Sequence, residues 1–479
     1  MKHTIRIGLW VVVCVAASAV LSGVWVSAQP APVAPEPAPA AEAIAAPASV
    51  SAAPKNVIFM IADGCGFNQF LAGSYYEHGA DGGQVYHRFP VRIAMSTYSI
   101  AGDYDPAAAA ADPKYAAKGA TDSAAAATAM SSGRKAVDGA IGMIPGEEGP
   151  VPVEHMAERA EKLGKATGVI TSVPFSHATP AGFLVHEGSR GSYMEIARQM
   201  IHDSAAEVVM GAGHPWFDDS GRFVDLPLDA KQRAKRFSYI GEENWLALAA
   251  GKAGGDADGD GDPDPWALIQ TRQGFQDLAS GDTPARVFGL ATVASTLQQG
   301  RAGDSKAGAY KVPLTETVPT LAEMTRAALN VLDNDSDGLF LMIEGGAIDW
   351  CGHANQSGRL VEEVVDFNRA VEAVVAWVEA KSNWSETLVI VTADHETGFL
   401  SGPSEAGQPC PLSPSGIGVQ PAMAWLSTSH TNSLVPFFAK GAASDLLLAE
   451  ANEEDPVRGR YIDNTEPAQV ILDLWRAPE

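Results

Sequence analysis

Asn56-Val57-Ile58-Phe59-Met60-Ile61-Ala62-Asp63-Gly64 is the stretch that decides the fold. It runs through seven residues without a charge, then stops at an acid and a glycine. A strand with one wet face alternates apolar and polar residues, whereas a near-continuous run marks a strand buried on both faces. Similar runs recur at 168–173, 208–211, 339–344 and 388–393, with helical stretches at 153–163, 320–332 and 361–380 between them. This alternation predicts an α/β fold with a large central, mostly parallel sheet flanked by helices on both faces. Sites in such sheets gather beyond the carboxyl ends of the strands. Asp63, Glu344, Asp394 and His395 all stand at the ends of predicted strands.

Outward from this core the pattern changes. From about 215 to 318 it loosens into Gly, Asp and Ala, which reads as an insertion decorating the core or forming a lid. At the other end Lys2, His3 and Arg6 precede an apolar run, and Val26-Ser27-Ala28 offers small residues for cleavage. Residues 1–28 therefore read as a signal peptide, although the run also has the length of an anchor. Residues 29–54 are an Ala/Pro-rich linker without apolar periodicity. That leaves 55–479 as a single domain, expected to be exported to the periplasm or secreted, with no membrane partner beyond the export signal. Three cysteines remain after the leader, Cys65, Cys351 and Cys410, an odd count that rules out a fully paired intrachain framework.

The formal net charge of −25 argues against a nucleic-acid-binding surface, which needs Lys and Arg against phosphates. It does not exclude anionic substrates, because bound divalent cations reverse the field inside one cleft.

Three pieces carry metal-ligating side chains. Asp349 and His353 are four apart, so on a helix they project from one face. Asp394 and His395 follow the strand at 388–393, and His430 lies in Ser429-His430-Thr431-Asn432. Imidazoles and carboxylates in this mixture suit zinc with an open position. Thr121-Asp122-Ser123 runs into an Ala-rich helix, where free N–H groups and the dipole favour a phosphate at Ser123. The bland reading of Asp122 or Ser123 is a helix cap. Arg190 ends His186-Glu187-Gly188-Ser189-Arg190, and a guanidinium can fork two phosphate oxygens.

Taken together, Asp63-Gly64, Asp122-Ser123-Ala124, Ser176-His177-Ala178-Thr179-Pro180-Ala181, Glu344-Gly345, Asp349, His353, Thr392-Ala393-Asp394-His395 and Ser429-His430-Thr431 resemble the ordered signature of the alkaline phosphatases. The likeness runs from about Asn56 to Gly441. It implies an alkaline-phosphatase-like fold and hydrolysis of small-molecule phosphate monoesters through a phosphoserine at Ser123. It also implies two zinc ions and one magnesium. Asp349, His353 and His430 would hold the first zinc, and Asp63, Asp394 and His395 the second. Asp63 would bridge to magnesium, completed by Thr179 and Glu344. Arg190, oriented by Asp122, would grip the phosphoryl group. His177 and Trp350 occupy positions where family members vary and tune the third metal. Relatives are often dimers, which leaves a homodimer open.

Two acidic loops compete for calcium. Asp333-Asn334-Asp335-Ser336-Asp337-Gly338 with Glu344 matches the EF-hand expression, but an apolar strand follows where a helix should leave. Asp256, Asp258, Asp260, Asp262 and Asp264 show carboxylate spacing for a structural calcium ion, against the reading of a solvated acidic loop. The rivals to a monoesterase are a phosphodiesterase or sulfatase sibling and a non-catalytic phosphate- or calcium-binding exported protein. Siblings usually carry Thr or a modified Cys as nucleophile, and the non-catalytic reading predicts a broken ligand set; none of its members is missing.

Overall fold

Asn56–Ile61 forms strand β1, and every residue in it is buried. In this computed structural model the structure describes residues 53–224, 229–257, 261–404 and 408–476. The leader at 1–28, all but the last two residues of the linker, and Asp258 and Asp260 lie outside the described residues.

Among the described residues, ten further strands join β1 in one sheet: β2 (Val91–Ser96), β3 (Ala166–Pro174), β4 (Val208–Ala212), β5 (Ala267–Ile269), β6 (Val287–Leu290), β7 (Leu339–Glu344), β8 (Thr387–Thr392), β9 (Val435–Gly441), β10 (Glu453–Asp455) and β11 (Gly459–Asp463). Their order is β10-β11-β2-β9-β8-β1-β7-β3-β4-β6-β5. From β8 through β5 every pairing is parallel, and antiparallel neighbours appear only toward the β10 side. β1, β7 and β8 are buried at all positions. Successive side chains point to opposite faces, so full burial means that both faces are covered. The architecture is the large, mostly parallel sheet flanked by helices that the runs predict.

Local chemistry sets the helix ends. Thr320 and Glu323 close a reciprocal capping box on Leu321–Leu332. Asp122 caps Ser123–Ser132, and Gly133 ends that helix at φ 72°. The loosely patterned 215–318 stretch contributes β5 and β6, which extend the sheet edge beyond β4. Val287-Phe288-Gly289-Leu290 is only four residues long, too short a run to separate from loop by composition. No helix among the described residues is long and apolar enough to cross a membrane.

Candidate active site

Three adjacent parallel strands end together, which brings the first acids into contact. Ile61 of β1 lies in register with Thr392 of β8 and with Glu344 of β7. Asp63 and Asp394 each sit two residues past their strand, and both are buried with His395 and Glu344. Gly64 turns the chain at φ 72°, where a Cβ would come within 2.7 Å of the Asp349 Cα. Its N–H donates to Asp394 Oδ1 at 3.0 Å. The His395 Nε2 then lies 3.6 Å from Asp63 Oδ1 and 3.3 Å from Asp394 Oδ2.

A second group stands beside it. Asp349 and His353 lie on one face of the helix Ala347–His353. His430 arrives on a two-residue strand paired to Glu396–Thr397, opposite Thr397. Asp349 Oδ1 is 3.4 Å from His353 Nε2 and 3.5 Å from His430 Nε2. The His353 Nδ1 faces the Thr428 carbonyl at 2.7 Å, and the His430 Nδ1 faces the Thr121 carbonyl at 2.8 Å. Each ring proton therefore belongs on Nδ1, which leaves two Nε2 lone pairs pointing at one another across 3.0 Å. Bare lone pairs repel at that distance, so the geometry suits a cation between them. Thr397 joins the two groups: its hydroxyl donates to Asp349 Oδ1 at 2.6 Å and faces His395 Nδ1 at 3.3 Å.

The nucleophile candidate sits between these groups and an arginine. Ser123 opens its helix, and its Oγ is 3.2 Å from His395 Nε2. Asp122 Oδ1 accepts from the Ala125 N–H at 3.0 Å. Asp122 Oδ2 accepts from the Gly139 N–H at 3.0 Å and from Arg190 Nη1 at 2.9 Å. The helix cap and the arginine anchor are thus the same carboxylate. Ser123, Arg190, His177, Asp349, Trp350, His353 and His430 line a cavity of about 520 Å³, joined by Gln299 from the 215–318 stretch. Below it the Thr179 hydroxyl donates to Asp63 Oδ2 at 3.4 Å, and the Thr171 hydroxyl donates to Glu344. The His177 ring stacks on Tyr193 at 6.1 Å and meets Trp350 edge-on at 5.8 Å.

The electrostatics of this arrangement ask for positive charge. Burial, reinforced by Asp349 and Glu344, pushes Asp394 up to about 8. Burial also raises Glu344 to about 7 and drives Asp63 well above the carboxylate range. Burial lowers His395 well below the usual imidazole value, and His430 and His353 add to the effect. His177 falls to about 3 through burial and the Arg190 charge. Burial pulls the Arg190 value down, but its bond and charge pairing with Asp122 raise it overall. Asp63 Oδ1, Glu344 Oε1, Asp394 Oδ2 and His177 Nδ1 are buried with no hydrogen-bond partner among the described residues. Buried orphan acceptors are costly unless a proton or a cation meets them. Asp349, His395 and His430 can converge on one ion, as can Asp63, Asp394 and His395. The donor set therefore fits divalent metals.

An alkaline phosphatase family model matches residues 54–414. Alkaline phosphatase H of Pseudomonas aeruginosa is 30% identical over 74% of this chain and 72% of its own length. The chain belongs to the alkaline phosphatase family. Alkaline phosphatase 3 of Bacillus subtilis is 29% identical, over 51% of this chain but only 43% of its own length. Among solved structures, the alkaline phosphatase of the Antarctic bacterium TAB5 has 25% identity and a TM-score of 0.59, covering 90% of this chain and all of that one. A variant of that enzyme, at 24% identity, has Mg bound in its M3 site. The cold-active enzyme of Shewanella shares the fold with a TM-score of 0.61. Membership makes this chain a phosphatase.

Within the alkaline phosphatase frame, the acidic loops lie apart from the cavity. Asp256 accepts from the Gly261 N–H at 3.1 Å and Asp264 from the Ala257 N–H at 2.9 Å, while Asp262 is exposed. Asp333 to Gly338 is a turn entering β7 rather than a helix, and Glu344 ends that strand, buried beside Asp63. Cys65 and Cys351 are buried and free, and Cys410 is half-buried and free. Thr397, Thr171 and Gln299 are additional residues of the site. Thr397 carries a faint signal, lying two residues beyond His395 at a strand end; nothing in the sequence marks Gln299.

Proposed function

We propose that this alkaline phosphatase hydrolyses phosphate monoesters by attack of Ser123 Oγ on phosphorus. The Oγ–P bond forms as the ester P–O bond breaks, and the departing oxygen takes a proton to leave as the alcohol. Water then attacks the phosphoserine, the P–Oγ bond breaks, and inorganic phosphate is released. One observation supports this most: Ser123 Oγ faces the buried His395 on one side, while Arg190 is tied to Asp122, the cap of the Ser123 helix.

Asp349, His353 and His430 would hold one zinc ion, Asp63, Asp394 and His395 a second, and the oxygen donors of Asp63, Thr179 and Glu344 a magnesium ion. When bound, these ions supply the positive charge that favours a serine alkoxide and a departing oxygen. Arg190, its Nη1 fixed by Asp122, turns the rest of its fork toward the phosphoryl oxygens. The first N–H groups of the Ser123 helix add donors beside it. Asp349 keeps its position through Thr397, and the two rim imidazoles keep theirs through the Thr428 and Thr121 carbonyls. His177, neutral and unpartnered at Nδ1, offers a nitrogen beside the magnesium donors, and Trp350 packs against its ring. In this reading the leader at 1–28 directs export and the linker at 29–54 precedes a catalytic body at 55–479.

The test is turnover of p-nitrophenyl phosphate against the diester and sulfate analogues, with and without chelator. The monoester should be preferred, and chelation should abolish the reaction. Ser123→Ala should keep its metal content yet lose activity by on the order of 10³-fold or more. Full activity in that variant would remove Ser123 as the nucleophile.

A further inference from the structure

A second cluster of ionisable rings lies behind Arg190. His186 presents Nδ1 to the Gly142 carbonyl at 2.8 Å and Nε2 to Glu158 Oε1 at 2.9 Å. Both partners are acceptors, so a neutral ring satisfies only one of them and an imidazolium satisfies both. His155 stacks on His186 at 5.2 Å. Its Nδ1 accepts the Glu158 N–H at 3.2 Å, which puts the His155 proton on Nε2. His155, Glu158 and His186 are close enough to share an ion. However, a His155 ring protonated at Nε2 has no lone pair there to give, and the species that fits between His186 and Glu158 is a proton.

The backbone carries this ring to the cavity. Segments 139–142 and 186–190 run side by side, with Ile141 and Glu187 exchanging N–H···O bonds of 2.9 and 2.8 Å. Arg190 N–H donates to the Gly139 carbonyl at 2.8 Å, and Gly139 N–H donates to Asp122 Oδ2, the oxygen that also anchors the Arg190 side chain. Gly142 N–H donates to Thr128 on the Ser123 helix at 2.9 Å. The His186 ring spans the end of this ladder. Gly142 is itself at φ 59°, and a Cβ there would come within 2.7 Å of His186 Nδ1, so the fit leaves no room for a side chain.

We propose that His186, doubly hydrogen-bonded between Gly142 and Glu158, is a positioning residue that holds the Arg190 segment while it is protonated and slackens it when the proton leaves. The inference rests on the reading of Arg190 as the phosphate clamp. The groups facing the ring agree with it. Burial opposes a charge on His186, but Glu158 and the Gly142 carbonyl raise its proton affinity overall. Burial pushes Glu158 up, yet its bond to His186 and the neighbouring His155 bring it down to about 2, so it stays a carboxylate. Burial lowers His155 to about 4, so it stays neutral. On the helix Tyr193–His202, Gln199 is uncharged, and its Oε1 accepts the His186 backbone N–H at 3.2 Å. With a raised value, the second bond is complete at low pH and is lost as pH rises through the titration of His186.

The experiment measures inhibition by inorganic phosphate and kcat and KM for p-nitrophenyl phosphate, on metal-loaded enzyme, from about pH 6 to about pH 10. His186→Gln should weaken phosphate binding and raise KM about two- to tenfold at the acid end, with kcat unchanged or higher. The gap should close toward alkaline pH, where the wild-type ring has itself lost its proton. Glu158→Gln keeps a residue able to complete the capping box and should move the convergence to lower pH. Parallel curves for wild type and both variants would mean a merely structural ring and would overturn the proposal. So would one equivalent more zinc in wild type than in His186→Gln. Arg190→Ala is the control: unchanged phosphate inhibition there would fail the clamp reading itself, a result separate from the His186 comparison.

Discussion

The two candidate metal-binding groups of this phosphatase are neighbours built on opposite principles. Asp63, Asp394, His395 and Glu344 hang from the ends of β1, β8 and β7 and are at most 1% exposed. Asp349, His353 and His430 come from a short helix and a two-residue strand, and their side chains are 7%, 42% and 17% exposed. In the interior group, buried carboxylates crowd together, and burial first, then their neighbouring charges, raises their proton affinity. The rim group has one carboxylate and two imidazoles, each ring fixed by a backbone carbonyl. The interior calls for a proton or a cation to offset buried charge, while the rim is a shaped socket open to solvent. Retention should therefore belong to the interior and exchange to the rim.

The largest effect that can break this contrast comes from paired ligand substitutions. Asp394→Asn should lower activity by on the order of 10³-fold or more, because several kcal/mol of charge stabilisation would depend on the ion it is proposed to hold. Added zinc should not restore it. His353→Asn should lose zinc readily, by at least the about 10–100-fold in affinity that an outer partner is worth, and should recover activity in excess zinc. Activity titrated against zinc measures both. Two variants that respond alike would erase the distinction between interior and rim.

Thr397 is where the groups touch, so it tests whether they act separately. Thr397→Val removes the hydroxyl that donates to Asp349 and faces His395 while keeping the branched shape. Zinc affinity should fall about 10–100-fold, mostly at the rim, with kcat at saturating zinc close to wild type. Competition with a chromophoric chelator reads the affinity. An equal loss at both sites would show the pair to be one coupled unit.

The same contrast explains what could be read in the chain. The interior group lies directly after continuous apolar runs, and a strand-end acid is visible in the sequence because the run before it is. Asp349 and His353 were legible through their spacing of four on a helix. The connections between them were not. The Thr121 and Thr428 carbonyls that orient the rings are backbone atoms, which carry no residue signature. Gln299 reaches the cavity from a stretch whose strands β5 and β6 are too short to register as periodic. The pairing of His186 with Glu158 likewise depends on tertiary approach between a loop and a helix.

The mildest effect on catalysis concerns what each group stands on. The interior group rests on apolar strands, whereas the helix Ala347–His353 packs on Ser357–Lys381, which buries a carboxylate, Glu363, with Oε1 unpartnered. Burial, with Asp366 and Glu362 adding to it, pushes Glu363 up to about 8, and Arg301 and Arg359 only partly offset this. A carboxyl whose folded value lies above its unfolded one leaves stability intact below the unfolded value and withdraws it as pH rises through the folded value. Wild type and Glu363→Gln should therefore unfold alike near pH 5. Near pH 9 the variant should be the more stable by on the order of 2–4 kcal/mol, because the amide never has to ionise in the interior. Urea unfolding at the two pH values measures the difference, and activity should stay within about twofold because, among the described residues, no ion pair links Glu363 to His353 or His430. A stability difference that does not change with pH would mean that Glu363 ionises freely, and that the rim helix rests on a floor as indifferent to pH as the strands beneath the interior group.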